Sequence, residues 1–352
     1  MHPSPSAWLP RLCRTFFSDA ASTVVTLISL VLLLWGAWAL LSWGLLHAVF
    51  VPDNQACRVA TGACWGVISE KYRLILLGRF PYEAQWRPVL GTVLMVGGVL
   101  CIASPRFWNL KGLAVFGASV AAMVVLMAGG MFGLDPVGTD LWGGLPLTVL
   151  LSVLGCMLAV PMGLLLALGR RSKLPVLRAV CVAYIETVRG IPLIAWLIFA
   201  SFVLPLFLPP AWQLDLMLRV GATIVLFAAA YLAEVFRGGL QAIPRGQYDA
   251  AHALGLSRFQ TLGRVVIPQA LRMTLAPTVN IVIGVLKDTA LVSVVNLYDL
   301  TGTLKLALSD PDWQIFFVET YIFVALIYLA LGNGIARYGR FLESHNVPTH
   351  HR

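Results

Sequence analysis

The stretch Leu145-Pro-Leu-Thr-Val-Leu-Leu-Ser-Val-Leu-Gly-Cys-Met-Leu-Ala-Val-Pro-Met-Gly-Leu-Leu-Leu-Ala-Leu168 contains no charged side chain. About 20 apolar residues of helix cross a bilayer, and a helix satisfies its own backbone amides where no water can. Seven other runs read the same way: Ala21–Val49, Val89–Ala103, Leu113–Leu134, Ala179–Leu208, Val220–Leu240, Leu275–Leu297 and Phe316–Ile335. The second is the shortest. The reading is an all-α polytopic membrane protein with about eight transmembrane helices, its main solvent the lipid bilayer.

Composition agrees. Of 352 residues, 59% are hydrophobic and 12% are charged, against about 25% charged in a soluble domain. So few charges cannot cover a water-soluble surface. The net charge of +9 would suggest nucleic acid in a soluble chain, but no basic segment here is interleaved with exposed aromatics, so none is expected. Arg11 and Arg14 before an apolar run resemble a signal peptide; the run exceeds the roughly 7–15 residues of a signal core and reads as an uncleaved first helix.

Lys and Arg favour cytoplasmic segments. With the N-terminus inside, sixteen of the 25 fall in inside segments and seven outside, with Arg189 and Lys287 left within spans. Both termini are therefore expected in the cytoplasm. The chain divides into a three-helix part over 1–140, with an outside (periplasmic) loop at 52–87, a five-helix part over 141–342, and a tail at 343–352. Ser69–Gln85 mixes apolar residues with Lys71, Arg73 and Arg79 and reads as an interfacial segment. Cys57 and Cys64 lie in the outside loop, where disulfides persist; the spacing leaves a disulfide and two free thiols both open.

The cytoplasmic loop over 241–271 contains Asp249-Ala-Ala-His-Ala-Leu-Gly255-Leu-Ser-Arg-Phe-Gln-Thr-Leu-Gly-Arg-Val-Val-Ile-Pro268. Asp249 suits a first helical turn through the helix dipole, and Gly255 suits a stop. Ser257 can cap a second helix running to a break at Pro268. A compact helix–turn–helix projecting from a membrane domain is a docking knob.

This segment resembles the signature of permeases of binding-protein-dependent ABC importers: Glu-Ala-Ala, three residues, Gly, nine residues, Ile-x-Leu-Pro. Here it stands as Asp249-Ala250-Ala251, Gly255 and Val265-Val-Ile-Pro268. The Asp for Glu changes the ionic contact and leaves the spacing intact. Tyr184-Ile-Glu-Thr-Val-Arg-Gly-Ile-Pro-Leu193, Ala230-Tyr-Leu-Ala-Glu-Val-Phe-Arg-Gly-Gly239 and Lys287-Asp-Thr-Ala-Leu-Val-Ser293 are similar to stretches of the polar amino acid (histidine-type) branch. The N-terminal part resembles general L-amino acid permeases. The resemblance covers roughly Leu145–Leu342.

It implies a transport subunit in a bacterial inner membrane with an ABC importer transmembrane domain. Its implied partners are an ABC ATPase subunit dimer that binds ATP and Mg, a second similar permease and a periplasmic amino-acid-binding protein. No cofactor is expected on this chain. Asp249, Ala250, Ala251, Gly255 and Pro268 would couple it to the ATPase. There is no Gly-Lys dipeptide and hence no P-loop. The six histidines show no metal-ligand spacing within a span, so neither a metal site nor a membrane enzyme is indicated.

Ionisable residues within spans are costly and are functional candidates. Glu234, Lys287, Asp288, Thr289 and Ser293 are the expected amino acid path. Glu186/Arg189 and Glu234/Arg237 stand i,i+3, a spacing that makes structural ion pairs on one helix face. Gly190-Ile-Pro192 and Gly238-Gly239 read as kinks or close packing sites. An ion-gradient-coupled secondary amino acid transporter is the alternative, since such charges also mark ion pathways; it has no need of a docking knob.

Overall fold

The computed structural model describes residues 15–107, 109–209 and 214–346. Arg11, Arg14 and the end of the tail, 347–352, lie outside them. In chain order the elements used below are α1 (Ala20–Leu46), α2 (Gly66–Leu77), α3 (Tyr82–Ala103), α4 (Leu110–Ala128), α5 (Gly144–Arg170), α6 (Pro175–Gly190) and α7 (Leu193–Phe207). They continue as α8 (Leu216–Ala242), α9 (Arg245–Ala253), α10 (258–273), α11 (Leu275–Val295), α12 (Leu300–Ala307) and α13 (Gln314–Ser344). Seven of these are long and apolar enough to cross a membrane, and α6 with α7 makes an eighth as a pair bent by 104°.

That bend corrects the single fifth span expected over Ala179–Leu208. Proline disfavours helical backbone at the residue before it and has no amide to donate. Ile191 is accordingly extended (φ −116°, ψ 134°), α6 ends at Gly190 and α7 restarts after Pro192. The Trp196 indole donates to the carbonyl of Val188 and satisfies one group freed by the break. Gly190 has open space around it, so it serves the bend and not a packing contact.

Contacts group the chain into two units. The first, Met1–Glu70 with Pro311–Thr320, holds α1 and the first part, 52–70, of the loop expected outside. Asp19 caps α1 in a reciprocal capping box with Ser22. Its apolar side chains, Leu33 and Trp35 among them, are exposed, as suits a helix whose solvent is lipid. Cys57 and Cys64 form a disulfide with Cα atoms 5.3 Å apart, and both pack with Val67, Trp313 and Phe316. The buried Glu319 carboxylate accepts from the Cys64 amide at 2.8 Å.

The second unit is Lys71–Asp310 with Tyr321–Arg352, so residues 71–140 group with the later helices. α3 and α4 pack closely through small residues, Gly91 on Met123 and Gly98 on Ser119. α5 and α8 form the centre of the core: Gly163 lies against Ala229 and Leu232, and buried Leu151, Ile224 and Val285 fill the space between α5, α8 and α11. The last helix, α13, runs past Leu342 to Ser344.

The segment read as interfacial is instead seated against this core. Ile75 is fully buried, the Lys71 ammonium lies 2.7 Å from the Asp310 carboxylate, and the Arg79 guanidinium donates to the carbonyl of Asp140 while covering the Tyr298 ring. Arg87, also counted as an outside charge, is buried and donates to the carbonyls of Leu126 and Asp135.

Candidate functional site

Three features gather on the five later helices. The first is a cavity of about 380 Å³ between α7, α8 and α11, within the range of small-molecule sites, with Leu193, Phe227, Tyr231, Asn280, Gly284 and Asp288 on its wall. A neighbouring cavity of about 430 Å³, lined by Tyr184, Thr187, Trp196 and Thr223, shares Phe227 with it. The 104° bend places the start of α7 at the cavity wall, and α6 supplies none of the wall itself.

Of the five residues expected along a path, Asp288 lines this cavity. Lys287, its neighbour, is exposed and points off the lining. The helical step of about 100° per residue turns the Lys287 side chain away from that of Asp288, and of the two only Asp288 is on the cavity wall. The Thr289 hydroxyl is buried and donates to the carbonyl of Leu286; that of Ser293 donates to Ala290. Both are used within their own helix.

The second feature is a charge cluster built by three helices. Glu234 of α8 accepts from Arg170 of α5 at 2.6 Å and from Arg237 of its own helix at 2.8 Å. Arg189 of α6 stands further off at 3.7 Å, with its guanidinium 5.4 Å from the centre of the Tyr231 ring. The expected Glu234/Arg237 pair is present. The expected Glu186/Arg189 pair is replaced: Glu186 binds Arg170 at 2.9 Å, and Arg189 turns to Glu234. The nearly buried Glu234, 16% exposed, draws the guanidinium groups around it, whereas Glu186 is 57% exposed and keeps water as a competitor. Arg170 was hidden from sequence reasoning because the apolar run ends at Leu168. The helix continues one half-turn further and folds that arginine back over the cluster.

The third feature is the helix–turn–helix of α9 and α10. α9 begins at Arg245, directly after Pro244, so Asp249 sits inside the helix and not in its first turn. α9 closes in a Schellman arrangement: the amide of Leu256 reaches the carbonyl of Ala251 at 3.1 Å, and Gly255 takes the left-handed φ of 76°. Ser257 then caps α10 in a capping box with Gln260. Pro268 does not end that helix. A π-turn over Thr261–Val266 precedes it, and the chain stays helical to Met273. The widened turn accommodates a residue with no amide to donate.

Asp249, Ala250 and Gly255 are exposed and Ala251 is buried beneath them. Leu254 and Phe259 flank the turn and are 81% and 88% exposed. These two apolar side chains, which the sequence reading passed over, give the tip a surface that water disfavours. The base is held by Gly239, which lies close to Ala270 and Thr274. Gly238 has open space, so one of the two expected packing glycines serves that role.

Among the described residues no cluster of His, Cys, Asp and Glu is arranged to hold a metal ion.

The model of the family described as binding-protein-dependent transport system inner membrane component matches residues 159–343. The chain is 39% identical to the inner membrane amino-acid ABC transporter permease protein YhdY of Escherichia coli K12, over 94% of this chain and 90% of that one. It is 36% identical to the glutamate/glutamine/aspartate/asparagine transport system permease protein BztC of Rhodobacter capsulatus, over 94% and 92%. The probable glutamine ABC transporter permease protein GlnP of Bacillus subtilis, 32% identical, is matched over 92% of its length by 58% of this chain. The crystal structure of an amino acid ABC transporter with histidines superposes with a TM-score of 0.52 at 31% identity, covering 57% of this chain and 92% of that one.

Proposed function

This chain belongs to the family of inner membrane components of binding-protein-dependent transport systems, and we propose how its geometry serves as the permease subunit of an ATP-driven amino acid importer. It is a transport subunit and not an enzyme. The chain lies in the inner membrane with both termini cytoplasmic, beside a second similar permease. A pair of ATPase subunits, which bind ATP and Mg, docks on the cytoplasmic side. A periplasmic binding protein delivers an L-amino acid from the other. The relatives named above do not support the ion-gradient-coupled alternative.

The observation that carries this reading is the rigid turn at Gly255. A Schellman stop followed at once by a capping box fixes the angle between α9 and α10. The exposed Leu254 and Phe259 then offer an apolar contact to an ATPase cleft, with Asp249, Ala250 and Ala251 on the helix before them and Pro268 at the base. Closure of the ATPases on ATP pulls the two knobs together and tilts α5, α8 and α11 toward the outward-open state. Hydrolysis restores the inward state. The substrate path runs by the cavity at Asp288, since a carboxylate there can accept an ammonium group. Glu234 acts from the cytoplasmic end of the same helix bundle, and Lys287, Thr289 and Ser293 support α11 in place.

Co-expression with the ATPase, partner permease and binding protein tests it. Uptake and ATPase stimulated by loaded binding protein are expected with the native chain and absent with Leu254→Asp/Phe259→Asp. Equal stimulation with that variant would refute docking at this tip.

A further inference from the structure

Resting on the reading that the Asp288 cavity takes the amino acid, we infer that Arg189 is the cation that binds the substrate's carboxylate, exchanging Glu234 for it when the cavity fills. An amino acid zwitterion leaving water needs an acceptor for its ammonium and a donor for its carboxylate, because an unpaired charge in a low-dielectric site costs several kcal/mol. The cavity wall supplies the acceptor in Asp288 and neutral polar groups in Asn280 and Tyr231, but no cation. Lys287 is exposed and does not reach the lining. The cation must come from beside the cavity.

Arg189 stands there. Its guanidinium lies against the ring of Tyr231, which is itself part of the wall. It is also the least committed member of its cluster. Glu234 is already engaged by Arg170 at 2.6 Å and by Arg237 at 2.8 Å, and Arg189 is left at 3.7 Å, beyond hydrogen-bond length. Three guanidiniums face two carboxylates, Glu234 and Glu186, so the cluster holds one positive charge in excess. A carboxylate arriving at Tyr231 neutralises that excess without breaking the two short bonds. Arginine's planar fork suits bidentate capture of a carboxylate.

Because Arg189 stands in the last turn of α6, just before the bend, its transfer from Glu234 to a ligand loosens α6 from α8. Occupancy of the cavity is thereby linked to the helix that the break leaves free to swing. The site's ligand class is any α-amino acid with a free carboxylate, read through its backbone groups and not its side chain.

The test is equilibrium binding to the purified complex of radiolabelled L-glutamine and of its decarboxylated amine, with Arg189→Gln, Arg189→Lys and Asp288→Asn. Arg189→Gln should weaken glutamine binding by about thirtyfold or more and leave the amine's affinity unchanged, and Arg189→Lys should recover part of the loss. Asp288→Asn should weaken both ligands. If Asp288→Asn weakens binding while Arg189→Gln and Arg189→Lys bind glutamine as the native complex does, the assignment of Arg189 is wrong and the cavity reading stands. If neither site affects binding, the cavity reading falls, and this inference with it.

Discussion

The hydroxyl of Thr303, buried in α12, donates to the main-chain carbonyl of Ile75 at 2.7 Å. These residues are 228 positions apart and join α2 to α12. Beside this bond the start of α5 passes so close that Gly144, at a left-handed φ of 64°, would set a Cβ 2.2 Å from the carbonyl of Leu76. Two backbones meet where only hydrogen fits. Gly144→Ala combines strain at positive φ with a clash against backbone, and should cost about 3 kcal/mol or more. The check is thermal unfolding of the purified protein, with Gly97→Ala, which has open space, as a control that melts like the native chain.

Orientation is open to a direct test by thiol labelling. Val59, 84% exposed in the disulfide-closed loop, and Leu254, at the tip between α9 and α10, both accept a cysteine without disturbing a contact within a chain expressed without the ATPase. With both termini inside, Val59→Cys should react with an impermeant maleimide on intact cells, and Leu254→Cys only after permeabilisation. The native Cys57 and Cys64 should stay unreactive until reduced, since they are bonded and buried. The opposite pattern of labelling would invert the topology.

The charge cluster predicts unequal costs for two glutamates. Glu234→Gln leaves Arg170, Arg189 and Arg237 facing one another in a part-buried site. That loss should destabilise by about 1–2 kcal/mol, between the scale of an exposed pair and that of a buried one. Glu186→Gln, at a half-exposed position, should cost less than about 1 kcal/mol. Equal shifts in melting temperature would show that the cluster is not centred on Glu234.

Spans and turn were legible in the sequence because their causes are local. A run such as Leu145–Leu168 declares itself by composition, and Gly255 with Ser257 carries its own stop and start signals. What stayed hidden was long-range or directional. Arg170 looks like a loop charge until the end of α5 is seen to fold it toward Glu234. Lys287 and Asp288 look like a pair until the helix turns them apart. Arg79 and Arg87 read as outside surface, and their partners are backbone carbonyls at Asp140, Leu126 and Asp135 that no side-chain pattern announces. Pro268 reads as a break, and the π-turn that absorbs it has no sequence signature.

Coupling through the turn should depend on the backbone of Gly255. A Cβ there meets nothing within 4 Å, so a substitution acts through its φ of 76° and the charge it brings. Gly255→Asn, which tolerates left-handed backbone, should keep most uptake. Gly255→Val should lose it, since a β-branched residue pays about 1–2 kcal/mol or more in that region. Gly255→Asp adds a charge at the contact and should abolish uptake while the protein still inserts. Native ATPase stimulation by Gly255→Val would show that the turn's geometry does not matter.

The last prediction concerns pH and Asp299. Its carboxylate is fully buried, accepts from the amides of Thr301 and Gly302 at the start of α12, and takes the hydroxyl of Tyr328 at 2.9 Å. Burial raises its pKa above the ordinary 3.8, and the amide bonds, the Tyr328 bond and the charge of Lys305 reduce that shift without cancelling it. The folded state therefore binds this proton more tightly than the unfolded chain. A raised carboxylate contributes stability that is complete below the unfolded value and is lost as pH climbs through the folded one. Asp299→Asn keeps an acceptor for the Gly302 amide and removes the titration. The melting temperature of the variant minus that of the native protein should rise with pH from about pH 4 and level off once the native carboxyl is ionised. A difference that stays flat from about pH 4 to pH 8 would show that folding does not raise this pKa. One that falls with rising pH would show instead that the hydrogen bonds outweigh burial and hold the carboxylate ionised in the native state.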